Sequence, residues 1–393
     1  MDCYLDNSAT TRASENVIKT VTKVMAEDFG NPSSKHRKGV ESEAYLNDAK
    51  KTLAKLLKVE EKEILFTSGG TESNNLALIG CALANQRQGR HIITTCFEHP
   101  SVLEPLKLLS EQKEDPFEIT YLQVDADGHI DRKELEDAIR PDTILVSIMM
   151  VNNEIGAVQD IAQIGELIKQ KNPKTLFHVD AIQAFGKFEI YPKKWKIDLL
   201  SVSSHKFHGP KGVGFLYVKE GIKIRPLILG GGQQKGMRSG TDNVPGIAGM
   251  AVAAAEAYAN REENVRHMTT LKNMLTDGLM ELAEDGKGYT IRINSKRDDL
   301  SAPHIVSATF LPVKSEVLLH ALEERGVYVS SGSACSSNKP GLSGTLQSIG
   351  LSAKEADCTL RFSFCKDNTA GEVVYVLEQL KELLPLLSRF VSR

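Results

Sequence analysis

Ser201-Val-Ser-Ser-His205-Lys206-Phe-His208-Gly-Pro-Lys-Gly-Val-Gly214 sets one lysine between two apolar runs. The first run, Ile197 to Val202, suits a buried strand, and so does the second, Val213 to Val218. Lys206 therefore lies just past a buried strand, between His205 and His208 and ahead of a Gly-Pro turn. A lysine so placed is partly desolvated, its pKa falls, and its neutral amine can form a Schiff base with an aldehyde. A lone lysine in a loop is more often a solvated surface charge, so the partners elsewhere in the chain decide between the two readings.

Outward from this stretch, short apolar runs alternate with helical patterns. The strands are expected at Ile64–Thr67, His91–Thr95, Ile119–Val124, Ile144–Met150, Leu176–Val179, Leu199–Ser203 and Val213–Val218. Amphipathic patterns at 72–85, 101–111, 132–139 and 160–171 separate several of them. This alternation predicts an α/β fold, a mostly parallel sheet flanked by helices, with ligands beyond the carboxyl ends of the strands. A long Ala-rich helix is expected over 246–283. After it the character changes, with strands at 289–294, 304–311, 326–331 and 358–364 and helices at 315–324 and 370–391. We expect a large α/β domain over residues 14–250 and a smaller α+β domain from 1–13 together with 251–393.

Several strand ends carry residues with chemistry. Leu176–Val179 runs into Asp180, an aspartate at the end of a buried strand that needs a cationic or hydrogen-bonding partner. A protonated pyridine nitrogen would serve, and so would a helix start needing an N-cap. Ile64–Thr67 runs into Ser68-Gly-Gly70-Thr71-Glu-Ser73, a Gly-containing turn whose amides suit a phosphate but could equally form an ordinary capping box. His99 follows His91–Thr95, and Asn153 follows Ile144–Met150. An imidazole at such a place can stack on a ring or move a proton. Cys335 sits in a Ser- and Gly-rich loop, which suits a nucleophile better than a core filler. Cys3, Cys81, Cys96, Cys358 and Cys365 are scattered, and the last four read as structural. Arg361, inside an apolar strand, needs an anion, either a substrate carboxylate or an internal salt bridge.

Composition limits the classes. The chain of 393 residues is 41% hydrophobic and 25% charged with net charge −3, so neither a nucleic-acid surface nor an anionic-membrane surface is indicated. Its six cysteines form no CxxC pair, which argues against a zinc ribbon or a disulfide framework. Residues 1–11 hold no apolar signal core, and no run reaches the length of a membrane span, so a cytoplasmic protein is expected.

Taken together in order, the motifs resemble a known family nearly end to end. They are Tyr4-Leu-Asp-Asn-Ser-Ala-Thr-Thr11, Phe29-Gly-Asn-Pro-Ser33, Thr67-Ser-Gly-Gly-Thr-Glu-Ser73, Glu98-His99, Val151-Asn-Asn-Glu-Ile-Gly156, His178-Val-Asp-Ala181 with Gln183, Ser204-His-Lys206 with Gly209-Pro-Lys-Gly212, Arg238-Ser-Gly-Thr241, Ser331-Gly-Ser-Ala-Cys335 and Arg361. The chain resembles cysteine desulfurases of the NifS/IscS type, class-V aminotransferases of the fold-type-I pyridoxal 5'-phosphate enzymes. The resemblance implies that Lys206 holds the cofactor covalently, Asp180 pairs with its ring nitrogen, Gln183 contacts its ring hydroxyl and His99 stacks on the ring. Gly70, Thr71, Ser203 and His205 would hold the phosphate, and Thr241 that of a neighbouring subunit, which implies a homodimer with shared sites. Asn153 and Arg361 would bind L-cysteine, and Cys335 would accept its sulfur as a persulfide, leaving alanine. The acceptor after that would be an iron–sulfur scaffold protein or a tRNA-thiolation enzyme, met by the loop that runs on to Ser343. Rival readings are a selenocysteine lyase, a transaminase independent of Cys335, and a non-enzymatic assembly platform.

Overall fold

The apolar runs form the strands of one large sheet, and the rest of the chain builds a second. The computed structural model describes residues 1–284, 288–331 and 343–391. In chain order the strands are β1 Cys3–Tyr4, β2 Ile64–Thr67, β3 His91–Thr95, β4 Glu118–Leu122, β5 Thr143–Met149, β6 Leu176–Asp180, β7 Leu199–Ser203, β8 Gly214–Val218, β9 Thr290–Ile293, β10 Ile305–Leu311, β11 Val327–Tyr328, β12 Ser330–Ser331 and β13 Thr359–Ser363.

The large sheet has the spatial order β2-β8-β7-β6-β5-β3-β4. The strands β3 to β7 pair in parallel, and β8 runs antiparallel to both β7 and β2. The expected α/β fold with a mostly parallel sheet is thus formed. β5 and β7 are buried along their whole length, which is why they read as unbroken apolar runs and not as alternation. The reversal of β8 has a simple cause. Residues 204–213 are too few for the crossover that a parallel neighbour requires, so the chain turns straight back. That short return is the stretch carrying Lys206.

The second sheet is antiparallel in the order β12-β13-β10-β9, and β1 pairs in parallel with β11. Its core gathers Leu5, Phe310, Phe362, Phe364 and Leu380. The N-terminal arm belongs to it: Asp6 bridges to Ser363, and Asn7 Nδ2 donates to the Ser363 carbonyl at 2.9 Å.

Three expectations change. The helix expected over 246–283 is two helices, Val244–Ala259 and Arg261–Glu284, broken at Asn260. Asparagine competes with the helix for backbone hydrogen bonds, and here its carbonyl accepts from Asn264 N–H in the second helix. The strand expected over 326–331 is shared between the sheets, as Val327–Tyr328 joins β1 and Ser330–Ser331 joins β13. The helix expected over 72–85 begins at Gly70 and passes through a π turn at Leu76–Gly80, where Gly80 meets the Arg225 backbone closely. Among the described residues no helix is long and apolar enough to cross a membrane.

The centre of the large sheet contains one polar triad. His178 on β6 bonds Ser147 Oγ on β5 at 2.8 Å and Ser201 Oγ on β7 at 2.9 Å. Burial holds the His178 imidazole neutral, its pKa pushed down to about 3. Between about 3 and 6.5 the unfolded chain carries a proton on this residue and the folded chain does not. The His178 contribution to stability is therefore complete above 6.5 and is lost as pH falls. We predict that His178→Gln loses stability less steeply than the wild type on acidification through this window, by up to ~1.4 kcal/mol per pH unit. Urea midpoints of both proteins across the window test this. Other titrating groups are common to both and cancel in the difference, so equal slopes would refute the neutral, buried imidazole.

Candidate active site

The parallel arrangement sends the carboxyl ends of β2, β3, β5, β6 and β7 to one edge, and each end carries a residue singled out above. Lys206 closes the 3-10 turn Ser204–Lys206 after β7. Asp180 is the last residue of β6. Gly70 opens the helix after β2, and His99 caps the helix Pro100–Ser110 after β3. Gly70, Thr71, His99, Asn153, Asp180, Gln183, Ser203, His205, Lys206 and Arg361 all line one cavity of about 220 Å³. A more open depression of about 440 Å³ adjoins it and shares Gly70, Thr71, Ser203 and His205. Gly69 between these elements has φ +148°, a conformation that requires glycine, and a Cβ on Gly70 would stand 2.2 Å from Ile182 Cδ1.

Lys206 is held from an unexpected direction. Its Nζ donates to the carbonyls of Ser8 at 2.6 Å and Ala9 at 2.7 Å. The same arm is tied down by Thr11, whose N–H and hydroxyl both donate to the His205 carbonyl at 2.9 Å. Gln183 Nε2 also donates to the Ser8 carbonyl, at 2.9 Å. Ser8 and Ala9 act through their backbones, so no side-chain pattern announced them.

Asp180 is buried, accepting from Asn74 Nδ2 at 2.8 Å and from Ile182 N–H at 2.9 Å. Burial pushes its carboxyl up, against those hydrogen bonds and the nearby His99 and Lys206. Asn74 and Ser101, absent from the sequence reading, connect it to His99. Asn74 Nδ2 donates to Ser101 Oγ at 2.9 Å, and Ser101 Oγ donates in turn to His99 Nδ1 at 2.8 Å. His99 Nδ1 also accepts from Ser101 N–H at 3.1 Å. Nδ1 is thus an acceptor, which puts the proton of the neutral ring on Nε2. Burial pushes the His99 pKa down, with Lys206 adding to it and Asp180 opposing it.

The remaining side chains are also neutralised by burial. His205, whose Nδ1 meets Thr10 Oγ1 at 3.2 Å, is held down at about 4 by burial first and then by Lys206 and Lys211. His304, 3.4 Å from Gln183 Oε1, lies well below its ordinary value. Glu98 takes Thr95 Oγ1 and Met149 N–H on one carboxylate oxygen, and burial pushes it up to about 8.

Of the two partners considered for Arg361, the structure provides the internal salt bridge. Its guanidinium pairs with Asp6 at 2.8 Å and donates to the Asn153 carbonyl at 2.8 Å. Its buried Nε–H donates to no partner among the described residues, leaving donor capacity in a residue that lines the cavity. Thr241 is exposed and lines neither cavity beside Lys206. Cys335 and its neighbours through residue 342 lie outside the described residues. Ser343, the first described residue after them, donates to Glu154.

The donor set fits pyridoxal 5'-phosphate. A buried carboxylate whose hydrogen-bond donors here are two neutral amides favours a cationic ring nitrogen beside it. An amine, a neutral imidazole and a glycine-lined turn share the cavity. The comparisons agree. The aminotransferase class-V model matches residues 3–376. A cysteine desulfurase IscS of Methanosarcina thermophila is 43% identical over 98% of this chain and 92% of its own length. Among solved structures, a NifS-like protein is 40% identical with a TM-score of 0.91, covering 98% of this chain and 100% of that one. SspA, solved in complex with cysteine, is 33% identical with a TM-score of 0.78, covering 93% and 100%. Matched over almost its whole length, the chain belongs to the class-V aminotransferase family, among the pyridoxal phosphate-dependent cysteine desulfurases of the NifS/IscS type.

Proposed function

We propose that the cavity around Lys206 is the site at which this cysteine desulfurase removes sulfur from L-cysteine and passes it to Cys335. The observation that carries the reading is the convergence of Lys206, Asp180, His99, Gln183 and Arg361 on one cavity from separate parts of the chain. Pyridoxal phosphate, when bound, supplies an electron sink for charge developing at the substrate Cα.

The residues divide the work. Lys206 would hold the cofactor, and its amine would be the group that moves the substrate Cα proton. Asp180 would balance the ring nitrogen, with Asn74 keeping its carboxylate in place. His99 would lie against the ring as a neutral imidazole and Gln183 would take the ring hydroxyl. Gly70, Thr71, Ser203 and His205 would hold the phosphate. Thr241, exposed on this chain, is assigned to the phosphate of a second copy, in a homodimer with shared sites. Asn153 and Arg361 would orient the substrate, Arg361 through its carboxylate. Cys335 thiolate then attacks the substrate sulfur. An S–S bond forms, the Cβ–S bond breaks, and the electron pair left on Cβ takes one proton, so that the product is alanine. The persulfide sulfur goes on to an iron–sulfur scaffold or tRNA-thiolation acceptor. We divide the chain accordingly, residues 14–250 serving the cofactor and 1–13 with 251–393 presenting Cys335 in a cytoplasmic enzyme.

Purified holoenzyme given L-cysteine and a thiol reductant should yield alanine, and Cys335→Ala should not. Alanine from both would sink Cys335 as acceptor and favour a lyase. No alanine from either, with the cofactor bound, would sink the autonomous desulfurase.

Arg361 gives a second test. A charge-assisted hydrogen bond contributes about 1.5–3 kcal/mol, so Arg361→Gln should raise KM for L-cysteine roughly 10- to 100-fold. Asp6→Asn removes the ion pair without removing the guanidinium and should change KM far less. Equal effects from the two variants would mean that Arg361 acts by tethering the arm and not by binding substrate.

A further inference from the structure

Lys206 lines two cavities. The second, about 40 Å³, has none of Asp180, His99 or Arg361 in its lining, but it has Lys187, a residue with no part in the proposed reaction. The turn after β6 accounts for this placement. It sends Asp180 and Gln183 to the large cavity and, four residues after Gln183, Lys187 to the small one. Gly186 makes the change of direction possible. Its φ is +81°, and a Cβ on it would stand 3.1 Å from Ala257 and 3.3 Å from Phe207, the residue after Lys206. Lys187 Nζ then donates to the backbone carbonyl of Lys206 at 3.1 Å.

Among the described residues no carboxylate forms an ion pair with Lys187. Glu256, on the helix Val244–Ala259, faces the same cavity, but its Oε1 accepts from Asn16 Nδ2 at 2.7 Å. The other titratable groups around Lys187 are Lys206 and His208 after β7, Cys365 and the exposed Lys366 after β13, and His304 before β10. Burial holds His208 and His304 down and the Cys365 thiol up, so these three stand neutral near pH 7. Burial also pushes the Lys187 ammonium down to about 8, with Lys206 adding to it and Cys365 opposing. Repulsion between two amines is mutual, so each releases its proton more readily beside the other. Lys206 stands under a conflict that this repulsion relieves. The Ser8 and Ala9 carbonyls stabilise its ammonium form, yet the amine must be neutral to bond an aldehyde and to take the substrate Cα proton.

We propose that Lys187 is a positioning residue for Lys206: it holds the turn by the Lys206 carbonyl, and its charge favours the neutral Lys206 amine that the reaction requires. Lys187 acts from outside the large cavity, given the reading above of Lys206 as the residue that holds the cofactor. Below about 8 Lys187 carries its charge and opposes the Ser8 and Ala9 carbonyls, and above that its effect fades.

The test is a pH titration of holoenzyme absorbance, which follows the proton on the nitrogen joining Lys206 to the cofactor. Lys187→Gln keeps a donor for the Lys206 carbonyl and removes the charge, whereas Lys187→Met removes both. Both should move the midpoint up by about one pH unit. At a fixed pH below the wild-type midpoint, kcat for alanine formation should fall up to about tenfold in Lys187→Gln, with KM for L-cysteine little changed. A purely structural tie would weaken Lys187→Met and spare Lys187→Gln. A midpoint unmoved in both variants, or moved in Lys187→Met alone, would therefore overturn the role of the charge. Lys206→Ala, titrated alongside, separates the two failures. Absorbance that titrates in Lys206→Ala as in the wild type would sink the reading of the cofactor site itself. If that control changes and both Lys187 variants match the wild type, the role of Lys187 alone is lost.

Discussion

The contact on which the rest depends is the one between Lys206 and the carbonyls of Ser8 and Ala9. An amine brought in from water needs replacement acceptors, and a buried charge without them costs several kcal/mol. Here the acceptors come from a segment nearly two hundred residues away. That segment is itself ordered by the second sheet, through β1 on β11 and the Asp6 bridge to Ser363. The position of Lys206 and the order of the arm are thus conditions of one another. Thr11 on the His205 carbonyl and Gln183 on the Ser8 carbonyl close the same knot.

The large sheet supplies the other half of the arrangement. Because β3 to β7 run parallel, their carboxyl ends face the same way, and residues far apart in sequence meet there without further design. The short return from β7 to β8 keeps Lys206 at this edge, where a full crossover would have carried the chain across a face of the sheet. A hydrogen-bonded line then runs sideways from Asp180 through Asn74 and Ser101 to His99. Two side chains expected to act on one ring are therefore set by a common scaffold.

What could be read beforehand follows from this geometry. Lys206, Asp180, His99 and Asn153 were visible because each stands just past a buried apolar run, and the parallel alternation placed those ends together. Ser8 and Ala9 were not visible, since a carbonyl contact leaves no mark on residue type. Asn74 and Ser101 lie near the starts of helices, where polar residues are commonplace. Asp6 could have been suspected, because Arg361 in an apolar strand required an anion, but nothing in the spacing joins positions so far apart. The break at Asn260 was hidden because an alanine-rich helical pattern before it runs directly into an amphipathic helical pattern after it. The reversal of β8 was legible in principle from the length of residues 204–213 alone.

The distribution of charge in the cavity shows what this scaffold achieves. Three histidines near Lys206 are pushed toward neutrality by the same cause, burial, and Glu98 is pushed toward its protonated form by burial as well. A neutral imidazole offers a flat face and one fixed proton, whereas an imidazolium would repel Lys206 and a cationic ring. The formal charges that remain stand apart in role: Lys206 on its two carbonyls, Arg361 on Asp6, and Asp180 between two amides. Of these, Asp180 has only neutral amides donating to it, and its environment raises its pKa in the absence of a bonded cation. A cationic partner at that carboxylate would reverse the cost, while an anionic or neutral one would leave it. The cavity therefore selects the protonation state of what binds there through one unbalanced group, held ready by Asn74.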